Sequence, residues 1–290
     1  MNDALRGILL SIAATLIFSV SDAIGKHIAM TYGPLMVSFA RFVFSFATIL
    51  LIFPLRLGEA VRTRRPGLQV ARSLAVIGAN TLFFIGLRYN PLADMVAIGA
   101  ATPFITTILA IVLLGEKVGV RRWTAMGIGF VGLLIIVRPG LEVRDWTYFM
   151  PIASGTFWSV YVILTRKAGG VDPPLTQLFY APLAGSVAMS AAAPFYWEMP
   201  QGHDWALLVV IGTCATIGHL VLIKAYRLAA ASVIAPYAYV NIVFATIIGY
   251  LVYGDFPDHW TLVGTAVVVG SGIYVFYREA QLARAARGGS

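Results

Sequence analysis

Two charged residues inside apolar segments are the first features of this sequence that could do chemistry. Asp22 lies near one end of the first long apolar segment, and Arg41 lies inside the second, at a similar depth. Charges inside a lipid bilayer are costly and are usually paired or functional. We predict an Asp22–Arg41 ion pair. Two roles stay open: a fixed strut near an outer gate, or a charge site that holds the ammonium and carboxylate of a zwitterion.

A polar stripe runs along the first segment. Ser11, Thr15, Ser19 and Asp22 follow one another at offsets of four, four and three residues, which places them on one face of a helix. Lipid contact does not require such a face. The stripe therefore indicates either the wall of a wet cavity or helix packing through small residues.

Aromatic rings and single polar groups recur near the middle of four other segments. A surface that combines rings with a few hydrogen-bonding groups suits an amphipathic organic molecule, although rings in membrane helices also serve in packing. Trp158 is the leading candidate, because it lies away from the interface where Trp normally anchors a helix. The predicted substrate-binding residues are Asn80, Phe84, Trp158, Tyr161, His219, Tyr237 and Asn241. For His219, a proton carrier and a neutral hydrogen-bonding side chain both stay open.

Prolines and glycines indicate where these segments bend and pack. Pro103 and Pro236 interrupt backbone hydrogen bonding, and we predict that they act as hinges. Glycines mark the fifth and tenth segments as close-packing surfaces, either structural or a homodimer contact. These glycines are Gly127, Gly129, Gly132, Gly264, Gly270 and Gly272.

The amino-acid composition indicates the class of protein that holds these residues. The 290 residues are 59% hydrophobic and 12% charged, with a mean hydropathy of +0.82, whereas soluble domains are about 25% charged. This is typical of a multi-pass membrane protein. The net charge of +8 fits basic cytoplasmic loops and lipid headgroups rather than nucleic acid. Cys214 is the single cysteine, so an intramolecular disulfide and a metal site built from several cysteines are excluded. We predict no metal, no cofactor and no enzymatic activity.

Runs of about 20 apolar residues, the length needed to cross a bilayer, predict ten transmembrane helices. Placing the N-terminus inside assigns 16 of the 21 Lys and Arg residues to the inner side. Basic residues concentrate in cytoplasmic loops, so both termini are predicted to be cytoplasmic. The predicted spans are Leu5–Gly25, Pro34–Phe53, Leu68–Leu87, Asp94–Leu114, Arg122–Val137, Trp146–Leu164, Leu175–Phe195, Trp205–Tyr226, Val233–Tyr253 and Trp260–Tyr277.

The chain repeats itself weakly after about 140 residues. We predict one five-helix repeat over residues 1–140 and a second over residues 141–290. Matching positions are Pro34 with Pro174, Pro54 with Pro194, Trp123 with Trp260 and Gly127 with Gly264. Because each repeat has an odd number of helices, the second copy is inverted. Inverted repeats are typical of carriers that alternate access about a central site.

Three short motifs are the most distinctive parts of the sequence: Gly86–Ala93, Thr102–Phe104 and Leu113–Lys117. With these motifs and its ten predicted helices, the sequence resembles the EamA-type permeases of the drug/metabolite transporter superfamily. The second copy, with Ala225–Ala231 and Gly254–Asp255, departs from that pattern. The resemblance implies export of small metabolites, including aromatic amino acids, across the inner membrane of a bacterium.

Three functions are compatible with this sequence. The leading one is export of amino acids, with aromatic ones favoured, or of related metabolites. The second is uptake or exchange of another metabolite, such as a nucleoside-like or cationic compound, because fold alone does not select a substrate. The third, less favoured, is a membrane protein without transport activity.

Overall fold

The chain folds into a bundle of α-helices. A computed structural model describes residues 3–115, 119–138, 146–169, 171–228 and 235–288, and no β-strand occurs within these ranges. The helices are α1 (Asp3–Tyr32), α2 (Pro34–Ile52), α3 (Pro66–Tyr89), α4a (Leu92–Gly99), α4b (Thr102–Leu114), α5 (Val120–Val137), α6 (Met150–Gly169), α7 (Pro174–Ala192), α8 (Asp204–Leu228), α9 (Val240–Tyr253) and α10 (His259–Gly288). Short helical turns occupy Pro54–Arg56, Leu57–Ala60, Trp146–Phe149, Ala193–Phe195 and Ala235–Tyr239. The prediction of an all-α protein is confirmed.

Apolar surface and helix length make this a multi-pass membrane protein. Seven described segments are long and apolar enough to cross a bilayer: Leu5–Tyr32, Pro34–Ile52, Pro66–Tyr89, Leu92–Leu113, Trp146–Thr165, Leu175–Phe195 and Asp204–Ala225. Trp123–Val137 and Tyr237–Tyr253 are apolar but shorter. Large apolar side chains such as Leu51 and Val120 are about four-fifths exposed, as lipid contact requires. Ten crossings and cytoplasmic termini stay predictions.

Proline and glycine set the ends of several helices. Pro34, Pro66 and Pro174 each occupy the first position of a helix, where the missing N–H has no intrahelical partner in any case. Gly115 and Gly254 end α4b and α9 with φ of +68° and +71°, a conformation that glycine adopts without steric cost. These two glycines hold equivalent places in the predicted repeats.

The packing of the helices follows the same internal symmetry. Helix α1 packs along α8, and the equivalent helix α6 packs along α3. Likewise α2 contacts α8 while α7 contacts α3, and α9 contacts α1 while α4b contacts α6. The pairs α2 with α7 and α5 with α10 join equivalent helices directly. The two halves therefore interlock, and most helices have their main partner in the other half.

The contact between α5 and α10 is a seam of backbone against backbone. A methyl group added at Gly264 would lie 2.6 Å from the carbonyl oxygen of Gly132, and one added at Gly132 would lie 2.9 Å from the carbonyl oxygen of Gly264. Only glycine permits this approach. Gly129 and Gly272 also face close neighbours, whereas Gly127 and Gly270 face open space.

Some predicted features lie outside the described residues. They are the repeat boundary between residues 140 and 141, residues 116–117 of the motif Leu113–Lys117, and residues 229–231 of the motif Ala225–Ala231.

Candidate functional site

A cavity of about 570 Å³ lies between the two halves. Its wall is mostly apolar, with a few polar groups, and its volume falls in the range of sites for small organic ligands, about 300–1,000 Å³. Side chains from α1, α2, α3, α6, α7 and α8 contribute to the wall together with both parts of the fourth helix and the start of α9. No described residue of α5 or α10 lines it, so that pair forms an outer seam.

Asp22 and Arg41 form an ion pair at the wall of this cavity. The Nη1 atom of Arg41 donates to Oδ1 of Asp22 over 3.0 Å, and both side chains line the cavity. The Arg41 guanidinium also lies 5.6 Å from the centre of the Phe84 ring. The Phe84 ring stabilises the Arg41 cation by a cation–π contact. The pair thus presents one positive and one negative group side by side, which matches a zwitterion.

The residues of the polar stripe on α1 have two different roles. Asp22 alone of the four residues lines the cavity, while Ser11, Thr15 and Ser19 are buried among neighbouring helices. Thr15 donates to the carbonyl oxygen of Ser11 over 2.8 Å. Ser19 donates to Oδ1 of Asn241 over 2.5 Å. The stripe therefore joins α1 to α9 and positions Asn241, which does line the cavity.

An aromatic pair faces the cavity from α6. The ring centres of Trp158 and Tyr161 are 5.2 Å apart and the rings are tilted by 41°. Both line the cavity. The guanidinium of the fully buried Arg72 lies 5.2 Å from the Tyr161 ring centre. The pair offers π surface for a flat ring or an organic cation.

His219 lines the cavity, and one of its ring nitrogens is bonded within its own helix. Its Nδ1 lies 2.7 Å from the carbonyl oxygen of Ala215, and an oxygen acceptor requires that Nδ1 carries a hydrogen. In the neutral ring the other nitrogen, Nε2, is then a free acceptor. Phe18 contacts the imidazole edge-to-face, with ring centres 5.1 Å apart. The helix turn and Phe18 thus fix the orientation of the ring.

Asn80 is a second polar group that the protein leaves available. Its side-chain oxygen is buried and makes no hydrogen bond within the described chain, and the residue lines the cavity. An unsatisfied buried amide costs about 1–3 kcal/mol, so such a group is commonly completed by a ligand or water. Ser154 on α6 donates to the carbonyl oxygen of Ala79 over 2.7 Å and holds this turn of α3 in place.

The fourth helix is interrupted where it meets the cavity. Pro103 has no N–H to donate to the carbonyl oxygen of Gly99, four residues earlier. The hydroxyl of Thr102 donates to that oxygen instead, over 2.6 Å. Gly99, Thr102 and Pro103 all line the cavity. Pro236 lies in the turn Ala235–Tyr239 that precedes α9, so the proline of the second half is displaced toward the start of its helix.

Two residues of the predicted binding set lie elsewhere. Phe84 is fully buried under Arg41, and its neighbour Phe83 lines the cavity instead. Tyr237 does not line the cavity, whereas Tyr239 does. The other five predicted residues are at the wall. Sequence reasoning missed Phe18, Phe42, Gln177 and Tyr239, which carry the ring and amide types that it sought.

A polar cluster ties two loops together at one end of the bundle. Asp172, in the loop between α6 and α7, accepts hydrogen bonds from Thr63 Oγ1, the Arg64 N–H and Gln69 Nε2 over 2.6, 3.0 and 2.7 Å. Burial opposes ionisation, but the bonds from Thr63, Gln69 and Arg64 outweigh it and hold the pKa of Asp172 below its usual range. The carboxylate thereby fastens the loop between α2 and α3 to the other half.

We expect Asp172→Asn to lower the free energy of unfolding by about 2 kcal/mol, because an amide cannot accept from all three donors and these bonds are to a charged group. The wild-type advantage is present above the ordinary Asp pKa of about 3.9 and is lost as the pH falls through the lower folded value. Thermal unfolding of both proteins across pH 3–7 measures this. Asp3→Asn, at an exposed pair with Arg6, is the control and should change little. Equal stability of Asp172→Asn and wild type at pH 7 would contradict the assignment.

Comparisons with known proteins agree with this architecture. The sequence profile described as the EamA-like transporter family matches residues 5–138 and again residues 145–277. The chain is similar to an S-adenosylmethionine uptake transporter of Rickettsia prowazekii, 28% identical over 284 residues and 96% of each chain. It is also similar to a riboflavin transporter of Vibrio cholerae, 27% identical over 98% of this chain and 97% of that protein.

A solved crystal structure supports the fold. It superposes with a TM-score of 0.65 over 92% of this chain and 94% of the other, at 16% sequence identity. The two family matches cover both halves of the chain, and the named relatives are transporters of small metabolites. The chain belongs to the EamA-like transporter family.

Proposed function

We propose that this protein is a secondary carrier for a small metabolite that joins a flat ring system to a zwitterionic amino-acid group. The observation that carries the proposal is the composition of one cavity wall, which holds the Asp22–Arg41 ion pair and the Trp158–Tyr161 ring pair. Arg41 would bind the substrate carboxylate and Asp22 its ammonium group. Trp158 would stack on the ring.

S-adenosylmethionine is the first candidate substrate. It carries an amino-acid group, an adenine ring and a sulfonium cation, so it can use the ion pair, ring stacking and a cation–π contact together. The uptake transporter of Rickettsia prowazekii named for this compound supports the choice and favours uptake as the direction. The choice also agrees with the second function that the sequence allows, which is uptake or exchange of a nucleoside-like or cationic compound.

Aromatic amino acids are the second candidate, with export as the direction that the family resemblance implies. They bring the same zwitterion and a smaller ring to the same groups. Riboflavin, named for the relative of Vibrio cholerae, has the ring system but no zwitterion, so it would leave the ion pair unused. These differences in chemistry make the three compounds separable by experiment.

The proposed cycle uses the two interlocked halves. The cavity opens to one side of a bacterial inner membrane and then to the other as the halves rock, and Pro103 and Pro236 provide the bends in the helices that face it. His219 and Asn80 would bind the remaining polar groups of the substrate through Nε2 and the side-chain amide. No covalent step and no cofactor are involved.

Transport into liposomes that contain the purified protein tests this proposal. Labelled S-adenosylmethionine, tryptophan and riboflavin are each supplied outside, with the unlabelled compound inside to drive exchange. We expect saturable entry of S-adenosylmethionine that excess unlabelled compound blocks. Entry of tryptophan alone would replace the first candidate by the second. Entry equal to that of protein-free liposomes for all three would contradict the proposal. Vesicles of known protein orientation then give the direction.

A further inference from the structure

Three metal-binding side chains meet at the end of the bundle where α1 ends and α8 begins. His27 lies in the last turns of α1, His203 in the turn before α8, and Asp204 at the first residue of α8. Oδ1 of Asp204 is 3.3 Å from Nε2 of His203 and 3.6 Å from Nε2 of His27. One ligand atom of each residue lies within 4.8 Å of the others. The cluster is separate from the cavity, whose wall contains none of the three.

The carboxylate of Asp204 is held in a fixed orientation. The residue is 7% exposed. Its Oδ2 accepts a hydrogen bond from the Tyr32 hydroxyl over 2.6 Å, and that hydroxyl accepts from the Gln201 N–H over 3.0 Å. Its Oδ1 is buried and has no hydrogen-bond partner among the described residues. The hydrogen bond from Tyr32 to Oδ2 is the kind of support that metal-binding carboxylates usually have.

The spacing of the ligand atoms fits a small tetrahedral ion. Zinc binds His nitrogen at about 2.0–2.1 Å and carboxylate oxygen at about 2.0–2.2 Å. In a tetrahedron these bonds place ligand atoms about 3.3 Å apart, close to the two distances from Oδ1. Two imidazoles and one carboxylate suit zinc, and the exposed side of the cluster leaves room for a water molecule as the fourth ligand.

We propose that His27, His203 and Asp204 form a binding site for one divalent transition-metal ion, with zinc as the fitting ion. The ion would replace the missing partner of Asp204 Oδ1 and join the end of α1 to the start of α8. Lys26, the neighbour of His27, does not oppose it, because its ammonium is paired with Asp255 at 2.5 Å. The proposal is independent of the transported substrate, and it replaces the expectation from the sequence that the protein binds no metal.

Zinc binding to the full-length protein, purified without a polyhistidine tag, tests the site. Calorimetric titration with zinc chloride should give one saturable site per chain. His203→Ala should weaken binding at least tenfold, and His27→Ala should do the same. Neither change is expected to unfold the protein, because the His203 side chain is largely exposed and that of His27 is about half exposed. His259→Ala is the matched control, since His259 stacks on Trp260 and is absent from the cluster.

A second measurement is the shift of the melting temperature on adding zinc. We expect a rise in wild type and in His259→Ala that is absent in the double variant His27→Ala/His203→Ala. The proposal is overturned if wild type shows no saturable zinc binding, or if the double variant binds zinc as well as wild type does. An equal loss of binding in His259→Ala would overturn it too.

Discussion

Arg41→Ala is expected to slow substrate transport about 100-fold. The change removes the cation that we propose for the substrate carboxylate, a charge-assisted contact of about 1.5–3 kcal/mol, and each 1.36 kcal/mol is tenfold in rate. It also leaves Asp22 unpaired at the cavity wall. Initial rates of exchange in liposomes measure the effect, and size-exclusion chromatography establishes that the variant is folded.

The double variant Asp22→Arg/Arg41→Asp separates a binding site from a strut. Exchanging the charges keeps an ion pair between α1 and α2 but turns it around relative to the substrate. If the pair binds the zwitterion, the double variant stays folded and transports poorly. Transport restored to near the wild-type rate would show that the pair only braces the helices, and the proposed role in binding would be wrong.

Trp158→Ala is expected to raise KM about tenfold for S-adenosylmethionine, because stacking of a base on an aromatic side chain contributes about 1–3 kcal/mol. The rate at saturating substrate should change less, since the ring is proposed to bind substrate and not to move the halves. Concentration dependence of exchange in liposomes gives both values. Trp158→Phe keeps part of the stacking surface and should lie between wild type and the alanine variant.

A matched control for Trp158 is available on the same chain. Trp123 is a half-exposed tryptophan near the start of α5 and does not line the cavity. Trp123→Ala should leave KM unchanged while removing the same number of atoms. If both tryptophan variants raise KM equally, the effect is a general one on the bundle and the stacking role of Trp158 is refuted.

The membrane fold and the family could be predicted because the sequence features that indicate them extend along most of the chain. Runs of apolar residues set the helices, and the family match confirms the resemblance drawn from the motifs around Gly86–Ala93 and Thr102–Phe104. The Asp22–Arg41 ion pair could also be predicted from the sequence, because two charges at similar depth in adjacent helices have few other partners. Five predicted binding residues face the cavity, although their role in binding stays a prediction.

The predicted residues that lie away from the cavity are those for which one helical face offers two candidates. Phe83 and Phe84 are three and four residues after Asn80, so both satisfy the spacing of one face, and only packing against Arg41 and Gly25 decides which is buried. Tyr237 and Tyr239 differ because a turn of tighter helix precedes α9. The His27–His203–Asp204 cluster joins residues far apart in sequence, which a single sequence does not reveal.

The contact of Gly132 with Gly264 makes the two halves of the seam unequal. Gly264 corresponds to Gly127 of the first half, and by the same alignment Gly132 corresponds to Val269. The equivalent contact would therefore join Gly127 to Val269, yet a methyl group added at Gly127 would meet no atom within 4 Å. Glycine is thus required at Gly132 and Gly264 but not at Gly127, and the helices approach closely at one of the two places that the repeat offers.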